Sequence, residues 1–389
     1  MSVTAPKGFR AAGVAAGLKS GGARDVAVVV NDGPDATAAG VFTSNRVKAA
    51  PVLWSRQVLR GGVLRAVVLN AGGANACTGT QGFQDTHATA EHAAAALTAG
   101  TRMMVGAGEV AICSTGLIGE LLPMPRLLGG VSAAVRGLSR DGGQAAAEAI
   151  ITTDSHAKTT VVEADGWRVG GMIKGAGMLA PSLATMLCVL TTDAVAGSQD
   201  LDDALRAATR VTLDRLDSDG CMSTNDTVLL MASGAAGLSP SPEQLGAAVA
   251  TACRDLTRQL LADAEGATKE VAVEVVGAAS EDDAVSVGRT VARNNLVKTA
   301  LFGNDPNWGR ILAAVGTSTA EFDADHLDVA VNGVWVCRGG AAAADRSKVD
   351  LSGRSVTVTV DLHAGADAAT IWTNDLSHGY VHENSAYST

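Results

Sequence analysis

A chain of 389 residues is long enough for one large domain or two ordinary ones, and 47% hydrophobic against 18% charged residues excludes an intrinsically disordered chain. A formal charge of −10, with no Lys/Arg run to offset it, argues against a nucleic-acid partner. No run of about 18 apolar residues occurs and the first ten residues lack an apolar core, so neither a membrane partner nor a signal peptide is expected, and the expected location is the cytoplasm.

Taken in order, 26–30 and 66–69 are short apolar runs that end in Asn31-Asp32-Gly33 and Asn70-Ala71-Gly72-Gly73, and both read as buried strands entering turns. The Ala-rich stretch 87–99 is helical by propensity, with His87 and His92 as ordinary helix-surface residues. Gly106-Ala107-Gly108-Glu109-Val110-Ala111 fits a degenerate dinucleotide pattern, as does 175–180, but a strand (110–113) follows the first and not the helix that binding needs. Ser114-Thr115-Gly116 sits where that strand meets a turn. Such a turn can present a hydroxyl and a backbone N–H to one point, as an oxyanion requires, although a helix cap has similar geometry.

Residues 145–151 end a short helix, and Thr152-Thr153-Asp154 follows. Strands 159–163 and 167–173 flank Asp165-Gly166, a two-residue hairpin signal that delivers the chain to Lys174. Gly175 and Gly177 then allow positive φ or close backbone approach, and Pro181 keeps its predecessor out of the helical region. The apolar run 186–190, continued by Thr191 and Thr192, reads as a buried strand. Thr185 is thus a hydroxyl at the entrance of a buried strand, behind a constrained loop.

Farther along, 200–216 reads as an amphipathic helix with Leu201, Leu205, Ala208 and Val211 on one face. A polar, turn-prone stretch with Ser223-Thr224-Asn225-Asp226 precedes a strand at 228–231, and 240–242 is the best linker candidate. The helix 243–264 is expected to start from Ser241-Pro242, with Glu265 just past its end, and a strand at 270–276 follows. Residues 282–301 are expected to be helical, and Asp305-Pro306 to open the next helix as cap and first-position proline. From Leu327 onward strands and turns alternate. The six cysteines form no C-x-x-C pair, and four of them read as buried free thiols.

Lys174-Gly175-Ala176-Gly177-Met178-Leu179-Ala180-Pro181 with Ala184-Thr185-Met186-Leu187 resembles the nucleophile segment of the ornithine acetyltransferase (glutamate N-acetyltransferase) family of arginine biosynthesis. Further matches are Asn75-Ala76-Cys77-Thr78-Gly79, Thr115-Gly116, Thr152-Thr153-Asp154, Ser223 to Asp226, Lys298-Thr299-Ala300, 305–310 and the tail 375–389, so the resemblance spans nearly the whole chain. It implies an α-β-β-α sandwich of the amino-terminal-nucleophile type over 1–240 and an α/β portion over 241–389 whose tail returns to the site. It further implies self-cleavage between Ala184 and Thr185, into chains 1–184 and 185–389. Thr185 becomes nucleophile and base, Thr115 and Gly116 the oxyanion hole, and Thr152 (or Thr153), Lys174, Glu265, Asn384 and Thr389 the substrate contacts.

An alcohol needs a base beside it, and a free α-amine titrating near ~8 supplies one on the same residue. That accounts for a chain with no G-x-S-x-G elbow. The implied cycle is ping-pong: Thr185 takes acetyl from N-acetylornithine and passes it to glutamate. Lys174 meets a substrate carboxylate and Glu265 an ammonium. No metal and no tightly held cofactor are expected, acetyl-CoA is a candidate second donor, and the two chains are expected to pair as a dimer of two-chain protomers. Two alternatives remain at this level, a related amino-terminal-nucleophile aminopeptidase and a dinucleotide-binding protein.

Overall fold

The computed structural model describes residues 2–100, 103–178 and 186–386. In chain order its first strands are β1 (Phe9–Val14), β2 (Val26–Asn31), β3 (Thr37–Phe42), β4 (Ala66–Ala71) and β5 (Val110–Thr115). Then come β6 (Lys158–Glu163), β7 (Arg168–Lys174), β8 (Leu187–Thr192) and β9 (Thr227–Ala232). The last group is β10 (Glu270–Ala278), β11 (Asp328–Val331), β12 (Val334–Arg338), β13 (Ala341–Ala342), β14 (Ser355–Asp361) and β15 (Asp367–Asn374). The helices are α1 (Ala50–Val58), α2 (Gly79–Gly100), α3 (Met124–Arg136), α4 (Gly143–Ile150) and α5 (Ser198–Arg210). They continue with α6 (Pro242–Ala262), α7 (Glu281–Ala292), α8 (Asn295–Phe302), α9 (Trp308–Val315) and α10 (His378–Ala386).

Strand periodicity of two sorts the side chains into layers. In β8 and β9, Leu187, Val189, Leu229 and Met231 point into one core with sheet β1-β2-β4-β5, while Cys188, Leu190, Val228 and Leu230 point into a second core with α5 and α6. Helices α2 and α3 cover the far side of the first sheet, while α4 packs on β1 and β2 from the other face and also reaches β6 and β7 of the second sheet. The result is an α-β-β-α sandwich: helices, a four-stranded sheet, a five-stranded sheet (β3-β9-β8-β7-β6), helices. Aromatics are only 3% of the chain, so Val, Leu and Ala fill both cores. Each Val or Leu removed from water contributes about 1.5–3 kcal/mol before chain entropy is set against it.

The hairpin of β6 and β7 turns at Gly166 (φ +86°), and β7 pairs antiparallel with β8 from Val169↔Thr192 to Lys174↔Leu187. That register places the end of β7 directly beside the start of β8. Beyond the sandwich, a third sheet (order β13-β12-β11-β14-β10-β15) packs one face on α7, α8 and α9. Helix α6, expected at the head of the C-terminal portion, packs with α5 on the second sheet; by its contacts it is part of the sandwich.

Several local expectations differ from the fold. The helix expected over 200–216 is α5 followed by a 3-10 turn, Leu213–Arg215; Leu201, Leu205 and Ala208 are buried, but Val211 lies past the helix end and is 42% exposed. The single helix expected over 282–301 is two, because Asn294 accepts the amides of Leu296 and Val297 and starts a new helix there. The cap of α9 is Asn307, accepting from Arg310 N, and not Asp305. Ser241 and Gln244 form a reciprocal capping box at the start of α6. The tail forms α10, which propensity does not announce. Gly106-Ala107-Gly108 passes through a 3-10 turn (Ala107–Glu109) directly into β5, so no helix start follows the glycines to hold a pyrophosphate. Cys113, Cys188, Cys253 and Cys337 are the buried free thiols. Among the described residues no helix is long and apolar enough to cross a membrane.

Candidate active site

The site forms where the ends of β5 and β7 meet across the two sheets. Thr115, the last residue of β5, is held by its carbonyl, which accepts the amides of Gly72 and Gly73 at 2.9 and 3.0 Å. Gly116 follows with φ +129°, and a Cβ there would fall 2.5 Å from Gly73 N, so only glycine fits this turn. Lys174 ends β7 and crosses to the first sheet, where its Nζ donates to Thr115 Oγ1 at 3.3 Å. Both side chains are buried.

Around this pair one cavity is lined by Thr115, Gly116, Thr152, Thr153, Lys174, Gly177, Met178, Glu265 and Asn384. Six of the positions singled out in the sequence therefore line one cavity, and Thr152 and Thr153 both reach it. Glu265 lies in the turn after α6, is buried, and accepts Asn384 Nδ2 at 2.9 Å; its own amide donates to Ala176 O at 3.0 Å. Gly177 passes so close that a Cβ on it would lie 2.5–2.6 Å from the Glu265 carboxylate. That close approach is what the glycine permits here. Helix α10 carries Asn384 back to the cavity from the far end of the chain. Thr185, Ala184 and Thr389 lie outside the described residues.

Sequence reasoning passed over a buried charge cluster beneath the cavity. Asp154 Oδ1 accepts Lys158 Nζ at 2.7 Å and Gly175 N at 2.6 Å, and its Oδ2 accepts Thr152 N at 3.1 Å. Lys158 also donates to Asp263, which accepts the Ser155 amide at 3.0 Å. Asp154 therefore ties together the Thr152 turn, the glycine turn after Lys174 and, through Lys158, the end of α6. The only sequence signal was Asp154 itself, third residue of Thr-Thr-Asp. Lys158 and Asp263 are 105 positions apart and carry no local pattern.

Burial lowers the Lys174 pKa from its ordinary value; Asp154, Asp226 and Glu265 pull it back up, and Lys158 pushes it further down. For Asp154 burial alone would raise the carboxyl, but Lys174, Lys158 and the Gly175 amide together hold it below the usual range. Asp226 is pushed well above that range by burial, which outweighs its bond from the Met186 amide. A second tie joins the sheets: Asn225 Nδ2 donates to Ala74 O at 2.6 Å and Ser114 O at 2.8 Å. The Ser-Thr-Asn-Asp stretch thus braces both the residue before Thr115 and, through Asp226, the start of β8. Chemically, the cavity offers a hydroxyl and a glycine turn at one point, with a cation behind the hydroxyl and a carboxylate across from it.

The ArgJ family profile matches residues 10–389. The "Arginine biosynthesis bifunctional protein ArgJ" of Thermobifida fusca is 64% identical over 389 residues, covering 100% of both chains. The protein of the same name from Streptomyces coelicolor is 65% identical over 389 residues, again covering 100% of both. Among solved structures the chain is similar to ornithine acetyltransferase of Mycobacterium tuberculosis, complexed with ornithine. That likeness has 63% identity over 47% of this chain and 96% of that one, with a TM-score of 0.46.

Proposed function

The chain belongs to the ArgJ family, and from that premise we propose that it carries acetyl groups from N2-acetyl-L-ornithine to L-glutamate in arginine biosynthesis. The observation that supports this most is the convergence of Thr115, Gly116, Thr152, Lys174, Glu265 and Asn384 on one cavity from five separate parts of the chain.

In the proposed cycle the chain first cuts itself between Ala184 and Thr185. The new α-amine of Thr185 takes the proton from its own hydroxyl as Oγ attacks the acetyl carbonyl carbon. The π pair moves onto the carbonyl oxygen, which Thr115 Oγ and the Gly116 amide stabilise. Collapse breaks the C–N bond, and the proton goes to the departing ornithine amine. The glutamate amine then attacks the acetyl ester by the reverse sequence, releasing N-acetylglutamate and restoring Thr185. Glu265 receives the substrate ammonium and Lys174 a substrate carboxylate as a point charge, with Thr152, Asn384 and Thr389 completing the contacts. Acetyl-CoA is the second donor in this reading, consistent with the word bifunctional in the relatives' names. The two chains act in the cytoplasm as a dimer of two-chain protomers.

The test is direct. Purified protein should give two bands, the smaller-numbered chain ending at Ala184 and the other starting at Thr185 by amino-terminal sequencing. It should make N-acetylglutamate from N-acetylornithine and glutamate, and Thr185→Ala should leave one inactive chain. An uncut wild-type chain that transfers acetyl at full rate would overturn the mechanism.

A further inference from the structure

We propose that Asp154 and Lys174 form a positioning relay that keeps the Thr115 hydroxyl proton aimed into the cavity, at the oxyanion of the acetyl-transfer step. The inference rests on the transfer reading given above; it adds a reason for the buried charge of Asp154, which that reading leaves unexplained, and a second role for Lys174.

The geometry begins with the bond from Lys174 Nζ to Thr115 Oγ1, 3.3 Å long, between side chains that are each 2% exposed. A hydroxyl owns one proton and two lone pairs, whereas an ammonium only donates. While Lys174 is charged, it occupies a lone pair of Thr115, and the Thr115 proton has to be given to something else. Once Lys174 loses its proton, the amine nitrogen becomes an acceptor at the same place. The Thr115 proton can then turn toward it, and the cavity loses a donor. The charge on Lys174 thus decides which way the Thr115 hydroxyl points.

A lysine buried this deeply needs help to stay charged. The charged groups facing it are Asp154, Asp226 and Glu265, which favour its proton, and Lys158, which disfavours it. Glu265 already accepts Asn384, and Asp226 accepts the Met186 amide. Asp154 is the strongest of the three pulls, and it also grips Gly175 N at 2.6 Å, directly after Lys174 in the chain. One carboxylate therefore fixes both the charge of Lys174 and the backbone from which it extends. Asp154 and Lys174 act through Thr115.

The experiment is the pH profile of kcat/KM for acetyl transfer, measured on matured wild-type protein, Asp154→Asn and Lys158→Met. Wild type should show an alkaline limb as Lys174 deprotonates. Asp154→Asn removes a proton-favouring charge and should move that limb down by about one pH unit, while Lys158→Met should move it up. A merely structural loss lowers the plateau without moving the limb. In a second arm, Asp154→Asn combined with Thr115→Ala should turn over within about twofold of Thr115→Ala alone, because the hydroxyl on which the relay acts is already gone. If Asp154→Asn does not mature, Lys158→Met decides by the sign of its shift. An alkaline limb that stays at the wild-type pH in a matured variant overturns the relay, as do losses that multiply in the double variant. If wild type itself makes no N-acetylglutamate, the transfer reading falls and the relay with it; if wild type works and the limb does not move, the relay alone falls.

Discussion

The carboxylate Oδ1 of Asp226 accepts the amide N–H of Met186 at 3.0 Å, so a buried acid holds the peptide directly after position 185.

This pair sets a stability prediction. Burial raises the folded-state pKa of Asp226 well above the ordinary value, so its contribution is fully present below the unfolded pKa near ~3.9 and is lost as pH rises through the folded one. Asp226→Asn keeps an acceptor for Met186 N and has no charge to lose. Its stability relative to the parent should therefore grow between pH 5 and pH 8. Asp226→Ala leaves a buried N–H unpaired and should cost about 1–3 kcal/mol. Urea midpoints in the uncut Thr185→Ala background measure both, and an Asn variant whose deficit widens with pH would contradict the assignment.

On the proposed mechanism Thr115→Ala removes one oxyanion donor and should lower kcat by about two to three orders of magnitude, and it should slow the proposed self-cleavage, which would pass through its own tetrahedral intermediate. Gel analysis of maturation and steady-state assays separate the two effects. Parental rates in both would take Thr115 out of the chemistry.

Glu265→Gln should raise KM for N-acetylornithine by roughly tenfold or more, the loss of a charge-assisted contact, and should leave acetyl-CoA nearly unaffected. Running both donors on one preparation checks this. Equal losses would point to a folding defect in the turn after α6.

Gly177→Ala is a sharper probe of the same contact. The added methyl would sit 2.5–2.6 Å from the Glu265 carboxyl carbon and oxygens, so the carboxylate has to shift and its bond from Asn384 is disturbed. The expected result is a raised KM for N-acetylornithine with the alkaline and acid limbs of kcat in place. A variant with unchanged KM would mean that Glu265 does not read the substrate.

The hairpin at Gly166 and the buried strands β8 and β9 were legible because apolar runs and turn chemistry are local. So were Thr115, Gly116, Lys174 and Glu265 as places where a strand or helix runs into a turn; the order of strands in each sheet was not. The split between α7 and α8 was not, because Asn294 reads as one more polar residue of a helix until its side chain is seen on the next two amides. The charge cluster beneath the cavity was also hidden. Lys158 Nζ meets Asp263 only because α6 folds back over β6, and no spacing in the chain encodes that. Lys174 read as a glycine-loop cation free to meet a substrate; its hydrogen bond to Thr115 depends on the stacking of two sheets, which a single strand does not report.

The order β3-β9-β8-β7-β6 has a consequence for how such an enzyme can be encoded. Strands β3, β7 and β6 precede position 185 and β8 and β9 follow it, so the later segment inserts a pair of strands between neighbours supplied by the earlier one. The four-stranded sheet comes wholly from the earlier segment and the six-stranded one wholly from the later, but neither segment alone could complete this middle sheet, and each would present open strand edges to other chains. Two separate genes for 1–184 and 185–389 would thus be a poor substitute for one. On the proposed self-cleavage, a single reading frame divided only after folding would give the site its new amino terminus without ever exposing those edges.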